Sequence, residues 1–310
     1  VMLRSALIIA ALAATAYRLL APDGFAPEAV RGTRVLICGA SMGIGEDLVY
    51  EYARLGAKVA IAARTASKLE AVAARARALE PSAEVHVITA DLSADDAIPG
   101  TVASAAAALG GLDAVILNHV VTSEIAGPWT GSEGVGSGEG GMAGTPKLRR
   151  AFDTNFFSYV SLASVALPLL EASGGSLMVV SSMAGKIGLP FLSGYCAAKH
   201  ALHGFFDGLR QELVMKGSRV SVTTAVIGNI GTDSNVRFMA DRPFMSKNMP
   251  HATPQACAHA ILRATALRVR ELWYPMDQLA LPMYMRVFIP STLDALMAKF
   301  TFRAHAVPGW

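Results

Sequence analysis

The feature that most limits the fold of this chain is a glycine-rich turn between a predicted strand and a predicted helix. Residues 34–38 are apolar throughout except the first, residues 45–55 repeat apolar side chains at helical spacing, and Gly39-Ala40-Ser41-Met42-Gly43-Ile44-Gly45 joins them. Further apolar segments, separated by helical ones, predict strands at Lys58–Ala62, Val85–Thr89, Asp113–Leu117, Leu177–Ser181 and Ser218–Ile227. This alternation is typical of βαβ units. We therefore expect an α/β fold with a doubly wound, Rossmann-type parallel sheet in one domain, residues 31–275.

The glycine-rich turn has the context of a dinucleotide site, because a strand precedes it and a helix follows it. Glycines let the backbone turn tightly and approach a pyrophosphate, which the positive end of the helix attracts. The alternative is an ordinary glycine-rich turn. The candidate cofactor contacts here are Gly39, Ser41, Met42, Gly43, Ile44 and Gly45.

The end of the second predicted strand favours NADP(H) over NAD. Sites for NAD usually have an acid there to hold the ribose 2′-hydroxyl. Here Arg64 and Thr65 follow the strand instead, and the arginine fork suits a 2′-phosphate, although a solvated arginine is the alternative. Asp91 and Leu92, after the third strand, are predicted to contact the adenine, unless Asp91 only caps a helix. Asn118 is predicted to hold loops over the cofactor.

Three residues near the fifth and sixth predicted strands form a candidate acid/base unit. Ser182 follows a strand, Tyr195 comes thirteen residues later, and Lys199 lies one helical turn beyond Tyr195. Hydride transfer to a carbonyl needs a proton donor at its oxygen, and the reverse reaction needs a base. We expect the Lys199 ammonium to lower the pKa of Tyr195, and the Ser182 hydroxyl to orient the substrate oxygen.

Over residues 31–275 the chain resembles the short-chain dehydrogenase/reductase family, and within it the 11β-hydroxysteroid dehydrogenase type 1 and type 1-like group. The resemblance rests on the segments 116–119 (Ile-Leu-Asn-His), 155–159 (Asn-Phe-Phe-Ser-Tyr), 180–186 (Val-Ser-Ser-Met-Ala-Gly-Lys), 195–199 (Tyr-Cys-Ala-Ala-Lys) and 204–206 (Gly-Phe-Phe). It implies a catalytic tetrad of Asn155, Ser182, Tyr195 and Lys199, in which Asn155 holds a water for proton relay. It also implies that Lys199 binds the nicotinamide ribose and that Ile230 and Thr232 hold the nicotinamide carboxamide and phosphates.

Two of the departures from the pattern of that group bear on the cofactor and the substrate. Met42 stands where the steroid-reducing relatives carry a lysine for the 2′-phosphate, so the NADP prediction rests mainly on Arg64. Leu189 stands where the steroid enzyme has a tyrosine near its ligand. The substrate is therefore predicted to be a steroid or another lipid ketone, such as a retinoid or sphingoid intermediate. A cofactor-binding membrane scaffold without turnover is a third hypothesis, which the intact Ser182, Tyr195 and Lys199 argue against.

The two ends of the chain are more apolar than a soluble domain requires. Residues 1–21 contain an uncharged run of about 13 residues between Arg4 and Arg18, which we interpret as a single membrane anchor rather than a cleaved signal peptide or a buried helix. Residues 22–30 form a predicted linker. Residues 276–310 form an apolar tail, predicted as an interfacial helix or a dimer contact. The resemblance implies an endoplasmic reticulum membrane protein facing the lumen, and a homodimer.

The remaining composition excludes other classes. The net charge is +3 with scattered basic residues, which does not fit a nucleic-acid binder, and the three cysteines show no metal-ligand spacing. Methionine and phenylalanine are frequent between Asn235 and His251, which suits a lipophilic substrate, with ordinary lid packing as the alternative. Residues 131–144 contain seven glycines and are predicted to form a flexible surface insertion.

Overall fold

The core of the protein is a parallel sheet of seven strands. A computed structural model describes residues 24–121, 144–241 and 250–301. The strands are β1 (Arg34–Cys38), β2 (Lys58–Ala63), β3 (Glu84–Thr89), β4 (Ala114–Leu117), β5 (Ser176–Val180), β6 (Ser221–Ile227) and β7 (Glu271–Tyr274). Their order in the sheet is β3-β2-β1-β4-β5-β6-β7, and every neighbouring pair is parallel. The chain reverses direction across the sheet between β1 and β4, where α/β folds of this kind bind their ligands.

Helices cover both faces of the sheet. They are α1 (Gly43–Arg54), α2 (Ala66–Leu79), α3 (Ala97–Leu109), α4 (Gly144–Phe152), α5 (Ser158–Ser173), α6 (Ser193–Lys216), α7 (Asp233–Ala240), α8 (Pro254–Ala266), α9 (Met276–Phe288) and α10 (Pro290–Leu296). Buried side chains of α1, α2 and α8 pack on one face, and those of α3, α5 and α6 pack on the other. Alternate residues of the central strands enter the two layers, which explains why β1, β4 and β5 are apolar at nearly every position.

Residues of β1 illustrate how this core is built. Val35 and Ile37 face the α1 layer, whereas Leu36 and Cys38 face the α3 layer, and all four are fully buried. A buried leucine or isoleucine side chain stabilises the fold by about 1.5–3 kcal/mol relative to exposure. The sheet therefore holds its carboxyl edge, and the loops that leave it, in fixed positions.

The six predicted strands are confirmed, with ends that differ by a few residues. The fifth begins and ends one residue earlier, at Ser176–Val180, and the sixth begins at Ser221 rather than Ser218. The seventh strand, Glu271–Tyr274, was not predicted. It has only four residues, all partly exposed, at the edge of the sheet. Its apolar signal is therefore weak.

The C-terminal segment packs against the domain, which the sequence did not predict. Leu279 and Met283 of α9 and Leu293 of α10 are buried against Ile187 and Val226. The outer side of α9 leaves apolar side chains exposed, namely Leu281, Tyr284, Val287 and Phe288. An interfacial or dimer contact through this outer side stays a prediction.

Other predicted segments lie outside the described residues. These are the anchor, the first residues of the linker, nearly all of the glycine-rich insertion and residues 242–249 of the substrate segment. The described end of the linker is ordered, because Pro27–Val30 forms a short 3₁₀ helix and Val30 is buried in the core. Within the described ranges, one continuous helix, Pro146–Ser173, has the length and composition of a membrane span. Its residues Tyr159, Leu162 and Leu170 pack in the core.

Candidate active site

The glycine-rich turn lies at the switch point of the sheet, between the ends of β1 and β4. Gly39 has a φ of 81°, and a Cβ atom there would lie 2.6 Å from the backbone of His119. A Cβ on Gly45 would lie 2.1 Å from the Gly39 carbonyl oxygen, which also accepts a 3.1 Å hydrogen bond from Asn118 Nδ2. Asn118 thus binds the turn at Gly39 through its side-chain amide, and its part in holding loops over the cofactor stays a prediction. Side chains at either glycine would push the turn out of shape.

The middle glycine faces the other predicted cofactor segment. Gly43 has a φ of 59°, and a Cβ there would lie 3.0 Å from Thr232 Cγ2. Thr232 caps α7, since its Oγ1 accepts a hydrogen bond from the Asn235 amide, and Ile230 is buried in a bridge to Ala252. The two predicted cofactor segments thus lie in contact, and the first turn of α1 begins where they meet.

The residues predicted to contact the 2′-phosphate and adenine lie along the same edge. Arg64 and Thr65 are exposed at the end of β2, and the Met42 side chain at the start of α1 is 44% exposed. Asp91 accepts hydrogen bonds from the amide and hydroxyl of Ser93. Partial burial raises the pKa of Asp91, but these hydrogen bonds and the Arg64 charge outweigh it, so the net pKa is lowered. The Leu92 side chain packs in the core, which leaves its backbone for a ligand.

The end of β5 and the first turns of α6 bring Ser182 and Tyr195 together. Ser182 is buried, and its Oγ accepts a 3.2 Å hydrogen bond from the Ala184 amide at the start of a short 3₁₀ helix. Ser182 lies near enough to the Tyr195 hydroxyl to lower the pKa of that group in part. The hydroxyl groups of Ser182 and Tyr195 are thus polar groups among largely apolar neighbours.

Lys199 is buried one turn along α6 from Tyr195. Its Nζ donates a 3.0 Å hydrogen bond to the Val180 carbonyl oxygen and lies 5.9 Å from the centroid of the Tyr195 ring. The Nζ also lies 5.2 Å from the ring centroid of Tyr159, in cation–π geometry. Burial lowers the pKa of Lys199 to about 7, because one carbonyl oxygen and two aromatic rings replace only part of the water around the ammonium.

The pKa of Tyr195 is raised in this structure, not lowered as the sequence predicted. Burial raises the pKa of Tyr195 to about 12, and the neighbouring Ser182 hydroxyl offsets this rise only in part. The reason is that burial destabilises the charged form of both groups. The Lys199 ammonium is therefore less populated, and the Tyr195 phenolate is harder to form. Tyr195 is therefore protonated at neutral pH, as a proton donor must be.

Asn155 lies in a single π turn, Asp153–Phe157, between α4 and α5. Its side chain is fully buried, where Oδ1 accepts from the Val121 amide at 2.8 Å and Nδ2 donates to the Val121 carbonyl at 2.7 Å. These bonds fix the segment that follows β4. The role of Asn155 in holding a water stays a prediction.

Comparison with known proteins agrees with this geometry. The family model described as short chain dehydrogenase matches residues 33–243. Hydroxysteroid 11-beta-dehydrogenase 1-like protein A of Xenopus laevis is 36% identical over 286 residues, covering 92% of each chain. The hydroxysteroid 11-beta-dehydrogenase 1-like protein of Gallus gallus is 41% identical over 254 residues, covering 82% of each. This chain is a short-chain dehydrogenase/reductase.

The fold is also that of solved members of the family. A short-chain dehydrogenase/reductase from Serratia marcescens superposes with a TM-score of 0.65 at 21% identity, covering 79% of this chain and 96% of its own. Members of this family are oxidoreductases that use a nicotinamide dinucleotide. The glycine-rich turn fits a dinucleotide, because Gly39, Gly43 and Gly45 lie where a Cβ would clash, at the start of α1.

An apolar wall stands beside the catalytic residues of this short-chain dehydrogenase/reductase. Leu189, Tyr195 and Phe238 of α7 pack against one small buried cluster, and Leu189 and Phe238 also pack against Phe191. Phe191 has a φ of 63°, a strained conformation for a phenylalanine. Leu189 also contacts the cluster that contains α9 and α10. The C-terminal helices thus support the loop that carries Leu189.

Cavity size alone does not locate this site. A groove of about 1000 Å³ lies between α1, α8 and β7, lined by Glu51, Arg54 and His259 among others. None of the four predicted catalytic residues lines it. We place the site at the carboxyl edge of the sheet, because the chemistry-bearing side chains meet there.

Sequence reasoning assigned no role to three residues beside the site. His119, Ser158 and Tyr159 are joined by hydrogen bonds and ring contacts next to Lys199 and Gly39. All three stand in the segments on which the family resemblance rests. A histidine directly after Asn118 was the available signal.

Proposed function

We propose that this enzyme uses NADP(H) to interconvert a ketone and a hydroxyl on a steroid-like or other lipophilic substrate. The observation that carries the proposal is the Tyr195 hydroxyl, which lies beside Ser182 and an apolar wall that includes Leu189 and Phe238. A proton donor next to an apolar surface suits a carbonyl embedded in a hydrocarbon skeleton.

The residues of the chain supply the proton and the orientation in this reaction. The reduced nicotinamide supplies the hydride. Ser182 donates a hydrogen bond to the carbonyl oxygen, and Tyr195 transfers its proton to that oxygen as the carbonyl becomes a hydroxyl. Lys199 lies behind Tyr195, where its positive charge stabilises the negative charge that develops on the phenolate as the proton leaves. In the oxidation direction Tyr195 accepts the proton instead.

The cofactor preference rests on the end of β2. Arg64 is exposed there, its charge reaches Asp91, and no carboxylate takes the position that would hold a ribose 2′-hydroxyl. A guanidinium can bind a 2′-phosphate through two parallel hydrogen bonds. Met42 adds no charge, so Arg64 is the main determinant in our proposal.

The substrate class is narrowed by Leu189. The named relatives are hydroxysteroid 11-beta-dehydrogenase 1-like proteins, which supports a steroid-like substrate. Leu189 offers no hydroxyl to a ligand, whereas the resemblance implies a tyrosine there in the steroid enzyme. This observation favours a second candidate, the reductase of a non-steroid lipid ketone.

We also propose that residues 1–21 anchor the enzyme in the endoplasmic reticulum membrane, with the catalytic domain lumenal by analogy, and that it forms a homodimer. The exposed apolar side of α9, including Val287 and Phe288, supports contact with a membrane surface or a second copy. A membrane-dissolved substrate would then approach from the side of the C-terminal helices.

The test is NADPH oxidation by the full-length chain in detergent micelles, with a panel of steroid and lipid ketones. Wild type is compared with Tyr195→Phe, which removes the donated proton, and with Tyr284→Phe, a control that removes a hydroxyl from an exposed ring on α9. We expect turnover in wild type and control only. If no ketone is reduced while NADPH still binds, the scaffold reading replaces the enzymatic one.

A further inference from the structure

A network of side-chain amides joins the first turn of α9 to the loop that follows β6. Gln278 Oε1 accepts a 2.9 Å hydrogen bond from the Asn229 backbone amide, and Gln278 Nε2 donates a 3.2 Å bond to the Pro250 carbonyl oxygen. The Asn229 side chain donates to the same carbonyl at 3.0 Å. One glutamine of the C-terminal segment therefore binds the backbone at two points that lie 21 residues apart in the chain.

A third amide, that of Asn235 in α7, continues this network to the residues that we expect to hold the nicotinamide. Its Nδ2 donates to Asn229 Oδ1 at 2.8 Å and to the Ile230 carbonyl oxygen at 2.9 Å. Its backbone amide donates to Thr232 Oγ1 at 3.2 Å. The backbone of Ile230 is thus held by polar contacts that lead back, through Asn229, to Gln278.

The surroundings of Gln278 aim its amide at this loop. A Cβ on Gly228 would lie 2.7 Å from Gln278 Oε1, so a side chain at that position would displace the amide. Leu279, the next residue of α9, is fully buried against Ile187 and Val226, which fixes the start of the helix. Gln278 itself is half-buried. It therefore binds the loop from a packed helix and not as a freely rotating surface side chain.

We propose that Gln278 is a positioning residue for the hydride transfer: through Asn229 and Ile230 it sets where the nicotinamide ring lies relative to Tyr195. A backbone segment can orient the ring only if it is itself held in place, and a misplacement of about 1 Å can lower a rate about 10²-fold. The inference rests on the proposed cofactor site at Ile230 and Thr232. It gives the C-terminal segment a part in catalysis, besides any contact with a membrane or a second copy.

The first test measures ligand binding to the full-length chain. Gln278→Met keeps the length of the side chain and removes both hydrogen bonds, whereas Gln278→Glu keeps an acceptor for the Asn229 amide. We expect the dissociation constant for NADPH to rise about tenfold in the Met variant and less than threefold in the Glu variant. That for 2′,5′-ADP, which lacks the nicotinamide, should stay unchanged in both. Equal losses in the two variants would overturn the proposal, as would equal losses of NADPH and 2′,5′-ADP.

The second test measures the single-turnover rate of NADPH oxidation by a reducible ketone at saturating NADPH. We expect Gln278→Met to be at least about tenfold slower than wild type. Gln211→Met, which changes an exposed glutamine of α6, is the matched control and should keep the wild-type rate. A Gln278→Met rate equal to that of wild type would overturn the proposal. Because the binding test uses no ketone, failure to find a ketone substrate leaves that test intact.

Discussion

Replacing Lys199 by methionine is expected to stabilise the folded chain at low pH while removing its activity. The side chain is 2% exposed, and its Nζ has the Val180 carbonyl as its hydrogen-bond acceptor. Methionine matches the length of much of the lysine stem and carries no charge. The variant therefore removes the cost of burying an ammonium and leaves the packing of α6 nearly unchanged.

The magnitude follows from the pKa of Lys199, which burial lowers from 10.5 to about 7. The unfolded chain binds this proton more tightly, so the folded state carries the full penalty below pH 7 and loses it as the pH rises towards 10.5. A gap of about 3.5 between the two values corresponds to roughly 5 kcal/mol. Leaving the Val180 carbonyl unpaired costs about 1–3 kcal/mol. The net gain at pH 6 is therefore about 2–4 kcal/mol.

The assay is urea unfolding of the full-length chain at pH 6 and at pH 10, with wild type measured beside the variant. We expect Lys199→Met to be more stable than wild type at pH 6 and to lose that advantage at pH 10. Lys216→Met is the matched control, because Lys216 ends the same helix but is exposed and paired with Glu171. A Lys199→Met variant that is less stable than wild type at pH 6 would refute the reasoning.

Two further predictions concern the cofactor site. Gly45→Ala should abolish NADPH binding, since its Cβ would lie 2.1 Å from the Gly39 carbonyl oxygen. Gly208→Ala, in the exposed part of α6, should bind NADPH normally and raise the free energy of unfolding by about 0.5–1 kcal/mol. Equal NADPH affinity of the two variants would contradict the claim that the glycine-rich turn holds the dinucleotide. In isothermal titration, Arg64→Ala should raise the dissociation constant for NADPH about 10–100-fold and leave that for NADH unchanged. Met42→Lys should lower the dissociation constant for NADPH. An equal loss for both nucleotides would exclude the phosphate role of Arg64.

The sheet could be predicted because its strands are buried on both faces. Val35 to Cys38 and Leu177 to Val180 are apolar at every position, so their burial is visible without knowledge of the partners. The glycine turn could be predicted for a similar reason: its function depends on backbone shape, and Gly39 and Gly45 are the residues that this shape allows. Local signals of this kind need no tertiary contact to interpret.

The features that sequence reasoning missed all depend on contacts between distant segments. β7 is defined by its pairing with β6 and not by its own four residues. The pKa of Tyr195 depends on how deeply α6 is buried, which the four-residue spacing to Lys199 does not reveal. The hydrogen bond between His119 and Ser158 joins residues 39 positions apart in the chain, so the sequence alone does not reveal it.

The central claim is that Tyr195 transfers the proton in an NADPH-dependent ketone reduction. The measurement that tests it most directly is the single-turnover rate of NADPH oxidation with a reducible ketone, in wild type and in Tyr195→Phe saturated with NADPH. The account predicts a rate about 10²–10⁴-fold lower in the variant, with an unchanged dissociation constant for NADPH. A Tyr195→Phe rate within a fewfold of wild type would contradict it.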